Sequence, residues 1–271
     1  MNRDNNESQK GFSLVELSVV LAILGLLAGA VLASKSMIHA GELRSILSEY
    51  ERYSVAAQTF RDKYTQIPGD LNNATSFWGK NATYCNGHSG VATTNGTCNG
   101  DGDGFLRSNP GDSADTTQEM FQFWHQLELA GLISGKYSGI AGPCCFFIAS
   151  IVGTNVPASR YPNGAWSVER HPWAEAGDEI TFAVKTDNLF MLGAPINTTQ
   201  PYGKLLTPED AWNIDSKLDD GKPGYGKILA LYWNNECSSA DTGVSANTNL
   251  NASYRVTDTR PQCALKFRFA F

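Results

Sequence analysis

No Cys-x-x-Cys, no His-x-x-x-His, no Gly-x-Ser-x-Gly and no phosphate-cradling glycine loop occurs in the chain. These absences remove the common zinc spacings, the strained nucleophile turn and the nucleotide cradle, and no enzyme is visible. The four histidines, His39, His88, His125 and His171, lie far apart, and His125 is expected on the polar, solvent-facing side of its helix. Charge is sparse. With 18% charged residues, a formal net charge of -6 and a pI near 5.2, the chain offers no basic field for phosphates, so nucleic acid is not favoured as a partner. Cysteine is missing before position 85 and then occurs six times, at 85, 98, 144, 145, 237 and 263. An even count beyond the apolar segment fits an oxidising periplasm or cell exterior. Proline is missing from Phe12 to Gln66, so nothing there forbids one long helix. There is no internal repeat and no interdomain linker.

What the chain does have is one long hydrophobic run, with a charge inside it. Lys10-Gly11-Phe12-Ser13-Leu14-Val15-Glu16 opens directly onto the apolar stretch Leu17 to Ala33. As a helix, Phe12 to Ala33 would cover about 33 Å, enough to cross a hydrocarbon core about 30 Å thick. An ionised carboxylate at mid-bilayer costs about 2.5 to 3.5 kcal/mol on insertion scales, so Glu16 calls for a function and a cationic partner. A secretory signal would carry its small-residue cleavage site after the apolar core and leave with it. Here the order is reversed. The polar decapeptide Met1 to Lys10 comes first, and Gly11 is the small residue at the boundary.

This arrangement resembles the class III signal of type IV prepilins and type II secretion pseudopilins. The resemblance implies cleavage after Gly11 by a prepilin peptidase, N-methylation of Phe12, and a role for Glu16 in directing subunits into a helical filament. It also implies an α+β fold in which a long N-terminal helix packs on a C-terminal antiparallel sheet. The leader departs from the pattern by balancing Arg3 and Lys10 against Asp4 and Glu7. Orientation therefore rests on the resemblance and on the cysteines, which place the globular part in the periplasm. A one-span anchor with an unrelated outer domain is the plainer alternative.

Beyond the span, Leu43, Ile46, Tyr50, Tyr53, Ala57, Phe60 and Tyr64 recur at steps of three and four, one face of an amphipathic helix. Glu42, Arg44, Glu49, Glu51, Arg52 and Arg61 fall mostly off that face. Pro68-Gly69 ends it. The implied organisation is a leader over 1–11, a membrane and filament-core half-helix over 12–35, an amphipathic half over 36–67 and a globular α+β domain over 68–271. Within that domain Thr116 to Glu119 reads as a capping box, followed by a helix burying Met120, Phe121, Trp124 and Leu127 and stopped by Ala130-Gly131. A second helix starts at Thr207-Pro208 and runs to about Leu218. Strands are read at Glu179 to Lys185, Leu189 to Leu192, Lys227 to Trp233 and Ala264 to Phe271, the last with Leu265, Phe267, Phe269 and Phe271 inward and Lys266 and Arg268 outward. Trp78, Trp166 and Trp173 are read as core.

Two groups of residues suggest ligands. Asn99-Gly100-Asp101-Gly102-Asp103-Gly104-Phe105 is the front half of an EF-hand type calcium loop, but its twelfth position is Pro110 instead of glutamate. Calcium would then be held by Asn99, Asp101, Asp103 and the backbone carbonyl of Phe105, with Asp112, Asp115 or Glu119 completing the shell. Calcium loops in some pseudopilins make this reasonable by resemblance. Asp215, Asp219 and Asp220 form a weaker group that a helix end and an Asp-Gly turn explain. Among the cysteines, Cys85 with Cys98 and Cys237 with Cys263 are the local pairs. The adjacent Cys144 and Cys145 would be strained as a bridge and are alternatives for reaching Cys237 and Cys263.

The resulting expectation is a minor pilin or pseudopilin. It is anchored in the bacterial inner membrane, processed by prepilin peptidase, and passed by an assembly platform to other subunits. A major pilin, or a membrane-anchored calcium-dependent adhesion domain that never polymerises, remains open.

Overall fold

A computed structural model describes residues 11, 13–85, 91–106, 118–142, 149–171, 181–196, 199–231, 236–240 and 248–268. Helix α1, Leu14–Tyr64, is 51 residues long. It ends two residues earlier than expected because Thr65 turns into the left-handed region at φ 64°, while its N–H still bonds the Arg61 carbonyl at 2.8 Å. The chain divides into a unit up to Arg44 and a second from Ser45 to Phe271.

In the second unit the elements run α1 (from Ser45), α2 (Thr75–Trp78), β1 (Lys80–Asn81), β2 (Ala92–Thr93), α3 (Glu119–Leu129), β3 (Ala165–His171), β4 (Thr186–Gly193), α4 (Pro208–Leu218), β5 (Ile228–Ala230) and β6 (Leu265–Arg268). β1 and β2 pair in parallel. The other four form an antiparallel sheet in the order β3-β4-β6-β5. Register places Val168, Phe190, Phe267 and Ile228 in one row across all four strands. The α1 half-helix packs on this row, which makes the fold α+β. Tyr50 stacks on Phe267 at 4.8 Å, and Tyr53 meets Trp124 at 4.9 Å, Trp166 at 5.8 Å and Phe190 at 6.1 Å. Burying each such ring contributes about 1.5 to 3 kcal/mol, so this layer holds the helix to the sheet.

Glu49 departs from its expected place off the apolar face: it is 2% exposed. Its carboxylate accepts from Trp166 Nε1 at 2.8 Å, Ser159 Oγ at 2.7 Å and the Arg160 N–H at 2.8 Å. Three donors compensate its desolvation, which a helical wheel cannot show.

Lys266, expected outward, is also buried at 3% exposure. The far face of the sheet is covered too, by Leu189, Met191, Leu231 and Ala264 with Tyr202 against them. Lys266 Nζ lies 3.2 Å from Glu169 Oε1, and the Tyr202 hydroxyl donates to Glu169 Oε2 at 3.1 Å. A sheet buried on both faces does not show polar alternation. The strand expected at Glu179 to Lys185 is replaced by β4 starting at Thr186. Residues 181–185 are irregular, and Phe182 packs with Ala240 and Ala252. Phe269, Phe271, Trp173 and residues 232–235 lie outside the described residues.

Helix α4 is capped as expected, Thr207 Oγ1 accepting from the Asp210 N–H at 3.1 Å. Helix α3 is not: Gln118 is its N-cap without a side-chain bond, and Glu119 is its first residue instead of its third. Thr116 lies outside the described residues. His125, expected in solvent, is 6% exposed and donates from Nε2 to the Gly96 carbonyl at 3.2 Å. The reason is that loops pack around α3. Gln126 accepts from the Gly69 N–H at 2.7 Å and donates to the Cys98 carbonyl at 3.1 Å, while Gln122 accepts from Thr97 Oγ1 at 2.7 Å and donates to the Gly139 carbonyl at 2.8 Å. Cys85 is bonded to Cys98 and Cys237 to Cys263, with Cα separations of 5.5 and 5.0 Å. This removes the alternative in which Cys144 and Cys145 reach Cys237 and Cys263. Both Cys144 and Cys145 lie outside the described residues.

Candidate functional site

In the first unit, Gly11 is exposed with no atom near its absent Cβ, and Phe12 lies outside the described residues. Ser13 is the residue at which α1 starts. Its carbonyl accepts the first helical bond, from Leu17 N–H at 3.1 Å, and its hydroxyl accepts from the Val15 N–H at 3.3 Å. Glu16 reaches back to accept from the Ser13 N–H at 2.9 Å through Oε2. Ser13 and Glu16 thus form a reciprocal capping box, which satisfies two helix-end donors that would otherwise have no partner. The sequence reading gave Glu16 a role in assembly and missed its bond to Ser13, although the Ser-x-x-Glu spacing signals it. From Leu14 onward the helix is long and apolar enough to cross a membrane, with a hydropathy of 2.5 over an 18-residue window, none of it buried.

The acidic loop is organised by a residue that spacing alone did not reveal. Asp70, directly after Pro68-Gly69, is 1% exposed. The loop wraps its carboxylate. Oδ1 accepts from the N–H groups of Gly102 at 2.6 Å and Asp103 at 3.1 Å, and Oδ2 from Gly104 at 2.8 Å. Gly100 is required by close approach, since a Cβ there would sit 2.4 Å from Asp70 Cα. Burial is the main cause that pushes Asp70 up to about 6; the Gly104 and Gly102 bonds oppose it, and Asp101 and Asp103 add to it.

Carboxylate oxygens of Asp70, Asp101 and Glu119 come within 4.8 Å of one another. Glu119 Oε1 also accepts from the Asp101 N–H at 3.0 Å. Asn99 Oδ1 accepts from the Thr75 N–H at 2.8 Å, and Asp103 Oδ1 from the Phe105 N–H at 2.9 Å, so these two side chains shape turns. The Phe105 ring lies under the Arg170 guanidinium at 3.8 Å. Leu106 N–H donates to Asn188 Oδ1 at 2.7 Å, tying the loop to β4. Asp112 and Asp115 lie outside the described residues. Three hard oxygen ligands suit calcium, which takes about 6 to 8 oxygens, so Asp70, Asp101 and Glu119 fit part of a shell.

The second acidic group, Asp215, Asp219 and Asp220, also has its oxygens within 4.8 Å. Asp215 is fully buried, accepting from the Tyr254 hydroxyl at 2.8 Å and the Gly221 N–H at 3.2 Å. Burial pushes it up to about 7, against the pull of Tyr254 and Gly221, with Asp220 and Asp219 adding to the rise. Asp219 accepts from the Lys227 N–H and, at 3.3 Å, from Ile228. These carboxylates staple the end of α4 to its neighbours.

A glycine at the end of a polar leader, a capped apolar helix and a sheet-backed second half define a pilin-type subunit precursor. The chain matches the prokaryotic N-terminal methylation motif over residues 7–32, the signal of type IV pilins and pseudopilins. No curated protein and no solved structure matched the chain.

Proposed function

We propose that this chain is a structural subunit, a minor pilin or pseudopilin, of a type IV pilus or a type II secretion pseudopilus. The observation that carries this is the methylation motif over 7–32 opening directly onto an apolar helix that starts at Leu14. Prepilin peptidase cuts after Gly11, and Phe12 becomes the methylated N-terminus. The span holds the subunit in the inner membrane with its globular domain in the periplasm until an assembly platform passes it to other pilin subunits. The domain from residue 68 onward is large for a bulk subunit, which favours a minor or tip-proximal place over a major pilin. The chain is a substrate of enzymes and not one itself. N-terminal mass spectrometry of the mature protein tests this: methylated Phe12 is expected, and an intact Met1 from cells with active peptidase would overturn it.

The approach of the Asp70, Asp101 and Glu119 carboxylates supports calcium binding at the 99–106 loop. An ion there turns mutual repulsion into attraction and stabilises the fold. If the loop binds calcium and the chain never enters filaments, a membrane-anchored calcium-dependent binding domain is the better description. Immunogold labelling of sheared filaments separates the two.

A further inference from the structure

We infer that the Ser13–Glu16 capping box fixes where the N-terminal helix begins and so keeps the Gly11–Phe12 bond outside it, making Ser13 a positioning residue for the cut. This rests on the processing reading above. The cut is a hydrolysis: water adds across the amide, leaving a carboxyl group on Gly11 and the α-amine on Phe12, while the peptidase supplies the catalytic groups. A peptide bond inside a helix has its N–H and C=O committed along the axis and its flanks covered by neighbouring turns. Cleavage of such a bond tracks the population in which it is open.

The boundary is close to the bond. The first helical residue is Leu14. The box closes on Ser13, with the Val15 N–H at 3.3 Å from its hydroxyl and its own N–H at 2.9 Å from Glu16. Little else in the sequence holds the boundary there. No proline precedes Leu14, glycine weakens a helix without ending it, and Ser8, Asn6 and Asn5 are all residue types that could cap a helix started further upstream. Without the box, the long apolar helix downstream can propagate over Phe12 and Gly11, because extension adds one bond per residue once a nucleus exists. The box satisfies its donors only if the helix starts after Ser13.

Threonine and valine share a shape, but only threonine caps. The test follows the rate of cutting of the full-length membrane-inserted chain by co-expressed prepilin peptidase, read by mass spectrometry as the fraction beginning at Phe12. Ser13→Thr and Ser13→Asp should be cut at close to the wild-type rate. Ser13→Val and Ser13→Ala should be slowed about fivefold, the population change that losing a typical N-cap produces. Glu16→Gln, whose amide oxygen still accepts from Ser13, should stay fast, and Glu16→Leu should be slow. In the uncut Ser13→Val chain in micelles, the carbon chemical shifts of Phe12 should move toward helical values. Equal rates for the Thr and Val variants, whether both fast or both slow, would overturn the inference and assign the position to side-chain shape or to nothing. Failure to cut the wild-type chain would overturn the processing reading itself, and the wild-type sample reports that separately.

Discussion

The indole N–H of Trp166 donates to the carboxylate of Glu49 at 2.8 Å, joining the middle of α1 to the edge strand of the sheet. Together with the bonds from Ser159 and Arg160, it makes a charged residue of the helix the most connected polar group of the interface. Truncation to Glu49→Ala would leave three buried donors without an acceptor and should cost about 3 kcal/mol or more, with Glu49→Gln costing less because one oxygen remains. Urea unfolding of the full chain in detergent, followed by tryptophan fluorescence, checks this. A loss below about 1 kcal/mol for the alanine variant would show that water replaces the carboxylate.

Gly11→Val should leave full-length protein in the membrane, because Gly11 is the only small residue at the boundary between leader and apolar run. The measurement is the mass of the N-terminal peptide. Efficient cutting of the variant would move the processing site elsewhere.

Glu16→Gln keeps the bond to Ser13 but removes the charge. After cleavage the Phe12 α-amine, with a reference pKa of about 7.7 to 8.0, is largely cationic and can neutralise a Glu16 of a docking subunit. The glutamine variant should therefore be processed and held in the membrane yet enter filaments poorly. Incorporation equal to wild type would show that the pairing is unnecessary.

Asp70 and Asp215 have folded pKa values pushed up to about 6 and about 7, both chiefly by burial. Because these lie above the unfolded value, the native state binds more protons between about pH 4 and 7, and stability is lost as pH rises through that window. In chelator, the urea midpoint of wild type should fall from pH 5 to pH 7.5, and Asp215→Asn should flatten the upper part of that fall relative to wild type. Calcium should raise the thermal midpoint near neutral pH and lose its effect below pH 6, as Asp70 protonates. Asp70→Asn with Asp101→Ala should abolish the calcium response. A melt indifferent to millimolar calcium would leave the loop a turn organised by Asp70 alone.

Nonreducing peptide mapping should recover Cys85 joined to Cys98 and Cys237 joined to Cys263. The first closes a loop worth on the order of 3 kcal/mol by chain entropy. Free thiols at these positions in exported protein would contradict both the pairing and the compartment.

Much of this was readable from local pattern. The apolar run, the steps of three and four from Ile46 to Phe60, the Thr207 cap and the Gly11 boundary each depend on residues close in sequence, and each keeps its place. What was not readable depends on partners far along the chain. Glu49 looks like a solvent residue until Ser159, Arg160 and Trp166 are brought to it. His125 looks polar until the Gly96 carbonyl covers it, and Asp70 is hidden because the loop that wraps it begins about thirty residues later. Strand β3 was missed since its inward and outward residues are both buried. The capping box was readable but was overlooked, because Glu16 already had a role.

The Glu169–Lys266 pair spans β4, one charge on β3 and the other on the last strand. A slip of β6 by one residue would turn Lys266 to the face where Phe267 meets Tyr50 and leave Glu169 a lone buried charge, a fault of about 3 to 5 kcal/mol. Because β6 is the last strand to leave the membrane during export, the pair acts as a final proofreading step. The domain can close around its C-terminus in a single alignment, and a chain truncated or oxidised before β6 arrives would carry an exposed acid that marks it as unfinished.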